Sequence, residues 1–357
     1  MAEAVLTVDL DTIASNYQAL KTLGKSVECA AVVKADAYGC GLELVTKRLV
    51  KEGCRTFFVA QLDEGITLRS YVPDAVIFIL NGLTPCYLTY KNKSLTPVLN
   101  SLDEIKAWAG FCAEHGSFPC ALQFDTGMSR LGLPPEETEQ LFQSMDRLDN
   151  LDIRLVLSHL ACSEEPDNPM NHEQLSNFKS IADYFPGIPA SLAATGGILL
   201  GPDYHFDMLR AGIGLYGGLP FKDGRPVIKL EARLIQTRRL KAGETVGYGG
   251  AWVAKRETRI ATVAVGYADG YIRTAGDRAT ARIAGHVAPL VGRVSMDLLT
   301  FDVTDIPPDK AHPGAMVELI GLENTIDDLA RAAGTIGYEI LTVFSSRYER
   351  RYLGAPQ

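Results

Sequence analysis

Ala30-Ala-Val-Val-Lys-Ala-Asp-Ala-Tyr-Gly-Cys-Gly41 runs from an apolar strand into a tyrosine–glycine loop, with Lys34 at the junction. A lysine amine at the end of a buried strand is costly to charge, because loss of water disfavours the ammonium form. The free amine is then easier to reach, and a free amine can attack an aldehyde. Four residues on comes Tyr38, flanked by Gly39 and Gly41, which let a backbone approach a ligand closely. Taken alone, a strand-terminal lysine usually just snorkels to water. What gives this one meaning is the frame around it.

Apolar strand candidates recur on either side, at 28–33, 55–60, 75–80, 94–99, 119–125, 153–159, 189–194 and 211–216. Helical stretches fall between them, such as 42–52, with Leu42, Val45 and Leu49 in period before Gly53, and 101–114. Strands alternating with helices in this way predict a closed parallel (β/α)8 barrel, an α/β architecture. The unbroken apolar character of Val76–Leu80 and Leu155–Leu157 suits strands buried on both faces. An open doubly wound sheet is the rival, but no Gly-x-Gly-x-x-Gly turn follows an early strand. Near 220 the texture changes. Pro220, Gly224 and Pro226 read as a linker, and short β-rich runs at Thr258–Val265 and Pro289–Ser295 follow, with few helical patterns before 325–333. The expected division is a barrel over 1–222 and a mainly-β domain over 223–357, with the first strand able to join the second.

A chain of 357 residues exceeds one small core, and its 46% hydrophobic and 22% charged content is that of an ordinary globular protein. A net charge of −8 argues against nucleic acid or an anionic membrane as partner. Seven cysteines occur, with no Cys-x-x-Cys pair and no zinc spacing, so reduced thiols and no metal are expected. The Met-Ala-Glu-Ala-Val start has no signal-peptide pattern, and no apolar run nears the ~20 residues that span a bilayer. A cytoplasmic location is the expectation.

In a parallel barrel the working residues lie at strand C-terminal ends. Lys34 ends the first strand, Asp125-Thr-Gly-Met-Ser-Arg-Leu-Gly132 follows the fifth, and Ser158-His159 ends the sixth. Thr195-Gly-Gly197 follows the seventh, and Arg210-Ala-Gly-Ile-Gly-Leu-Tyr-Gly217 forms the last unit. Each alone has a plain reading: His159 as a satisfied core histidine, Arg130 as one surface arginine, the glycines as ordinary turns. Their clustering at one predicted end of one barrel shifts the weight.

These strings, in this order, resemble the pattern of the alanine racemases, which depend on pyridoxal phosphate (PLP). The resemblance continues beyond the barrel in Val246-Gly-Tyr-Gly-Gly250, Val265-Gly-Tyr-Ala-Asp-Gly-Tyr271, Val291-Gly-Arg-Val-Ser-Met-Asp297 and Gly334-Thr-Ile-Gly-Tyr-Glu-Ile340. It implies interconversion of L- and D-alanine, an amino-acid substrate, and service to peptidoglycan synthesis or alanine catabolism. It also implies a head-to-tail homodimer. Removing the α-proton on one face and supplying one on the other calls for two acid/base groups; the resemblance makes them Lys34 and Tyr248. A phenol of ordinary pKa ~10 needs help to act as a base, and the family's help is a chain from His159 to Arg210. Arg210 would also face the pyridine nitrogen, where a guanidinium donates a hydrogen bond without handing over a proton. Tyr38, Thr195, the backbone at Gly212 and Ile213, and Tyr338 match the phosphate site. Arg130, Met296 and Asp297 match substrate-carboxylate positions. Tyr267, Arg273, Arg293 and Glu164 match the entrance.

The chain departs from that pattern in places. Where the family often carries a carbamylated lysine that orients the arginine, it has Gln123. Arg130 then needs another partner: an amide contact from Gln123, or a small anion such as chloride. Ala194-Thr195 replaces the usual Asn-Ser, and Cys40 stands where histidine is frequent. Alternatives are a broader racemase taking serine, a non-catalytic PLP-binding barrel, and a fold-related decarboxylase. The β domain with Tyr248 speaks against the second, and Arg210 with Tyr248 against the third.

Overall fold

The computed structural model describes residues 3–355. By contact these divide into two units. One holds Ala14–Ala37 and Gly41–Leu215; the other holds the described residues up to Ile13, Tyr38–Cys40 and those from Tyr216 onward.

The first unit is the barrel. Its strands are β2 (Glu28–Val32), β3 (Thr56–Val59), β4 (Val76–Ile79), β5 (Thr96–Leu99), β6 (Pro119–Gln123), β7 (Asp152–Leu157), β8 (Ala190–Ser191) and β9 (Met208–Ala211). All adjacent pairs are parallel, in the spatial order β8-β7-β6-β5-β4-β3-β2-β9. The remaining seam is closed by a parallel bridge between Ala194 and Arg210, with the Arg210 N–H donating to the Ala193 carbonyl at 2.9 Å. Burial on both faces follows from helices outside and packed side chains inside: every residue of β3 and β5 is buried. Phe58 and Phe78 stack with ring centroids 4.8 Å apart in that core.

Two strands differ from the sequence reading. The apolar run at 211–216 is not the last strand; β9 ends at Ala211 and a tight turn covers Ile213–Tyr216. The cause is a partner from an earlier loop: the Gly212 and Gly214 amides both donate to the Thr195 hydroxyl, at 3.1 and 3.2 Å, and fold the chain there. The seventh strand shrinks to two residues.

In the second unit, β1 (Ala4–Asp9) lies between β10 (Ile228–Leu240), antiparallel, and β18 (Glu349–Leu353), parallel. The main sheet runs β15-β14-β17-β10-β1-β18, with β14 (Thr280–Ile283), β15 (His286–Pro289) and β17 (Met316–Ile320). Long β10 also pairs with β13 (Thr258–Val263), which pairs with β16 (Leu299–Asp302). Strands β11 (Thr245–Val246) and β12 (Trp252–Val253) form a small hairpin. Helix Ile326–Ala333 starts on a Thr325–Asp328 capping box. A further helix, Gly337–Thr342, was not legible in the apolar pattern. All seven cysteines are free thiols. Among the described residues no helix is long and apolar enough to cross a membrane.

Candidate active site

Lys34 stands two residues beyond β2, and the chain then does something costly. Ala35, Asp36, Ala37 and Tyr38 all take left-handed backbone angles, with φ of 54°, 55°, 52° and 53°. Each such non-glycine residue costs roughly 1–2 kcal/mol. External ties offset the cost. The Ala35 amide donates to the Glu64 carboxylate at 2.6 Å, Ala37 N to the Val33 carbonyl at 3.0 Å, and Asp36 accepts from the Leu42 amide at 2.7 Å. The lysine amine itself is held below its ordinary proton affinity, by burial first and then by Arg130, while Glu64 pulls the other way.

Arg210, 4% exposed, is the most heavily bonded side chain at this end of the barrel. Its Nη1 donates to the Ser191 carbonyl and hydroxyl, at 2.9 and 2.6 Å. Its Nη2 donates to the Ser158 carbonyl at 2.6 Å, the Leu192 carbonyl at 3.3 Å and His159 Nδ1 at 3.3 Å. Burial pushes the guanidinium down to about 10, still charged at neutral pH. Nε–H is the one guanidinium donor with no protein partner among the described residues. Because arginine has no acceptor, His159 Nδ1 must accept, which places the ring proton on Nε2. Burial and the surrounding Arg210, Arg130 and Lys34 push His159 down to about 3, so it is neutral at physiological pH.

Thr195 Oγ1 accepts the two amides of Gly212 and Gly214, so its own O–H is left to donate elsewhere. The Gly212 amide expected at a phosphate therefore goes to Thr195 here. Ile213 opens the turn just after it. Arg130 makes no hydrogen bond or ion pair among the described residues. The expected amide contact from Gln123 is not made: Gln123 Nε2 donates instead to the Leu131 carbonyl at 3.2 Å, bracing the backbone beside the arginine. Glu164 is exposed in the loop after His159.

Within the barrel, sequence reasoning missed Glu64 and Gln174. Gln174 is fully buried on helix Pro169–Ala182. It donates to the Thr126 hydroxyl at 3.2 Å and the His159 carbonyl at 2.9 Å, and accepts from the Ala161 amide at 2.8 Å. Thr126 in turn bonds the Ser158 hydroxyl at 2.8 Å. This network fixes the backbone on both sides of His159. A glutamine on a helix's inner face was the only available signal.

The second unit carries the remaining positions. Tyr38 stacks on Tyr216 at 4.6 Å and lies 6.1 Å from Tyr338. Gly39 is obligatory there, because a Cβ would sit 2.2 Å from the Leu341 carbonyl oxygen at φ +74°. Arg350 Nη1 holds the Gly39 carbonyl at 2.6 Å. Tyr248 is 69% exposed in the turn Tyr248–Gly250, with the Arg293 guanidinium beside the neighbouring Gly249. Met296 and Tyr267 are also exposed, and their loops are stitched together: Tyr267 N donates to the Ser295 carbonyl and Ala268 N to the Met296 carbonyl, at 3.0 and 2.9 Å. Arg347 bridges Asp297 at 2.8 Å and Asp269 at 3.1 Å, clamping the same pair of loops. Arg273 opens a short turn, Arg273–Ala275.

Comparison with known proteins agrees with this picture. Residues 8–220 match the family model described as "Alanine racemase, N-terminal domain", and 227–352 the corresponding C-terminal domain. The alanine racemase of Rhodospirillum rubrum is 49% identical over 361 residues, 99% of this chain and 96% of that protein. The biosynthetic alanine racemase of Agrobacterium fabrum is 47% identical, over 98% of this chain and 94% of that one. The crystal structure of alanine racemase from Bartonella henselae with covalently bound pyridoxal phosphate superposes with a TM-score of 0.95 at 38% identity. It covers 99% of this chain and 100% of its own. With both family models matched and relatives aligned along nearly its whole length, the chain belongs to the alanine racemase family.

Proposed function

We propose that this protein interconverts L- and D-alanine with PLP as cofactor and Lys34 and Tyr248 as the two acid/base groups. The observation that carries the reading is the Lys34–His159–Arg210 cluster, whose chemistry suits an aldehyde cofactor with an anionic tail. An amine with lowered proton affinity stands among cations, and a buried guanidinium keeps one donor to spare. A threonine hydroxyl with both lone pairs engaged has a proton to offer a phosphate oxygen.

When bound, PLP supplies the electron sink that acidifies the α-carbon. The chain's own residues do the rest. Lys34 would hold the cofactor and, once released from it, move a proton at its amine. Thr195, held by the Gly212 amide, and the Ile213 backbone are assigned to the phosphate, together with Tyr38 and Tyr338. Arg210 would offer Nε–H to the ring nitrogen, and a guanidinium donates a hydrogen bond there without handing over its proton. His159, neutral with its proton on Nε2, is a donor suited to steadying the oxygen of an ionised Tyr248. Arg130 is assigned to the substrate carboxylate with the Met296 and Asp297 backbone. Tyr267, Arg273, Arg293 and Glu164 are assigned to the entrance.

Tyr248 and Met296, exposed on their own unit, support a head-to-tail homodimer in which they serve the partner's lysine. Mixing Lys34→Ala with Tyr248→Phe tests both the bases and the dimer. Random reassortment of C2 dimers predicts recovery of about a quarter of wild-type activity. No recovery would assign both groups to one chain.

A further inference from the structure

Glu64 is the third residue of helix Leu62–Tyr71. Its Oε2 accepts from the Ala60 and Gln61 amides, at 2.7 and 3.0 Å, closing its own helix start. Its Oε1 reaches sideways to the Ala35 amide at 2.6 Å. The device recurs around the barrel. Glu104, third in helix Leu102–His115, takes the Asn100 amide at 2.7 Å and reaches back to the Leu83 amide at 3.2 Å. Glu137, third in helix Pro135–Phe142, reaches back to the Leu102 amide at 2.7 Å. Each glutamate ties one βα unit to the unit before it.

Of these three ties, the Glu64 one lands beside a group in the cationic cluster. Ala35 is the first left-handed residue after Lys34, at φ 54°. An alanine does not choose that conformation unaided, so the direction in which the chain leaves Lys34 depends on what holds the Ala35 amide. Around the lysine, Arg130 and His159 supply positive or neutral groups and Glu64 supplies the negative one.

We propose that Glu64 is a positioning residue for Lys34, fixing the turn that aims the amine and supplying a carboxylate to its surroundings. The inference rests on the reading that Lys34 carries PLP. Three variants of the full chain test it: Glu64→Gln, Glu64→Asp and the control Glu104→Gln. Two quantities are read. One is the pH midpoint for labelling of Lys34 by acetic anhydride in protein without PLP, mapped by mass spectrometry. The other is the rate of PLP release from the loaded protein.

In Glu64→Gln the labelling midpoint should move to lower pH, and release should quicken about tenfold, the scale of a lost charge-assisted hydrogen bond. Glu64→Asp keeps the charge but shortens the reach, so release should quicken while the midpoint stays near wild type. Glu104→Gln should lower thermal stability and move neither quantity. The inference is overturned if Glu64→Gln behaves as wild type, or if Glu104→Gln shifts both quantities equally. If Glu64→Gln does not fold, unchanged release in Glu64→Asp overturns it. Borohydride reduction of the wild type separates the underlying reading: no cofactor mass on the Lys34 peptide would remove that reading before any variant is made.

Discussion

Lys34 and Tyr248, the two proposed bases, sit in opposite kinds of surroundings. Around Lys34 the barrel has fixed most of the setting: Glu64 holds the following amide, Gln174 braces the strand end that carries His159, and Arg210 is bonded on both terminal nitrogens. Tyr248 stands 69% exposed in a three-residue turn, with glycines on either side. If the proposed roles hold, one half of the chemistry is organised within a single barrel, while the other half is presented on a surface. An exposed phenol has no machinery of its own to become a base; it must find that machinery by docking against something.

The sharpest way to break this contrast is Lys34→Ala. It should abolish both racemisation and the visible absorbance PLP gains on the lysine; retained absorbance would remove Lys34 from its role. Tyr248→Phe should lower racemisation by about 10²–10⁴-fold, the usual worth of an acid/base group. It should still allow α-proton exchange of D-alanine in heavy water. Loss of exchange with both enantiomers would count against two separate bases. His159→Asn should cost less, about tenfold in kcat, since it removes a donor acting through Tyr248. An equal loss in a His159→Asn, Tyr248→Phe double variant relative to Tyr248→Phe would break that link.

The smallest effect is on stability against pH. His159 is held near 3 in the fold, below the ordinary value of about 6.5. The unfolded chain therefore binds more protons between those values. Stability tied to the neutral ring is complete above about 6.5 and drains away as pH falls toward 3. Thermal midpoints at pH 7 and pH 5 should differ more in wild type than in His159→Asn. Equal slopes would mean that the ring is not held neutral.

Much of the fold was legible because its signals are local. Buried parallel strands read as apolar runs, and the lysine, histidine and glycine strings mark their ends. What stayed hidden depends on distant partners. Ile213–Tyr216 is as apolar as a strand, yet Thr195 folds it into a turn. Nothing in Ala35-Asp-Ala-Tyr38 announces four left-handed residues. Glu64 shows the spacing of a helix cap, but its second oxygen serves a neighbouring unit. Gln123 stands where the resemblance implies a partner for Arg130, whereas its amide goes to the backbone one residue further on.

Arg210 also closes the barrel's seam through its backbone, and the side chain caps the carbonyls of Ser158, Ser191 and Leu192. A carboxylate at this position would meet three carbonyl oxygens head-on, with no donor among them. A mutational walk that placed an acid here would thus keep the backbone bridge but lose every side-chain tie that Arg210 adds across the seam. On the role proposed for Arg210, commitment to one reaction type becomes part of how the barrel is fastened.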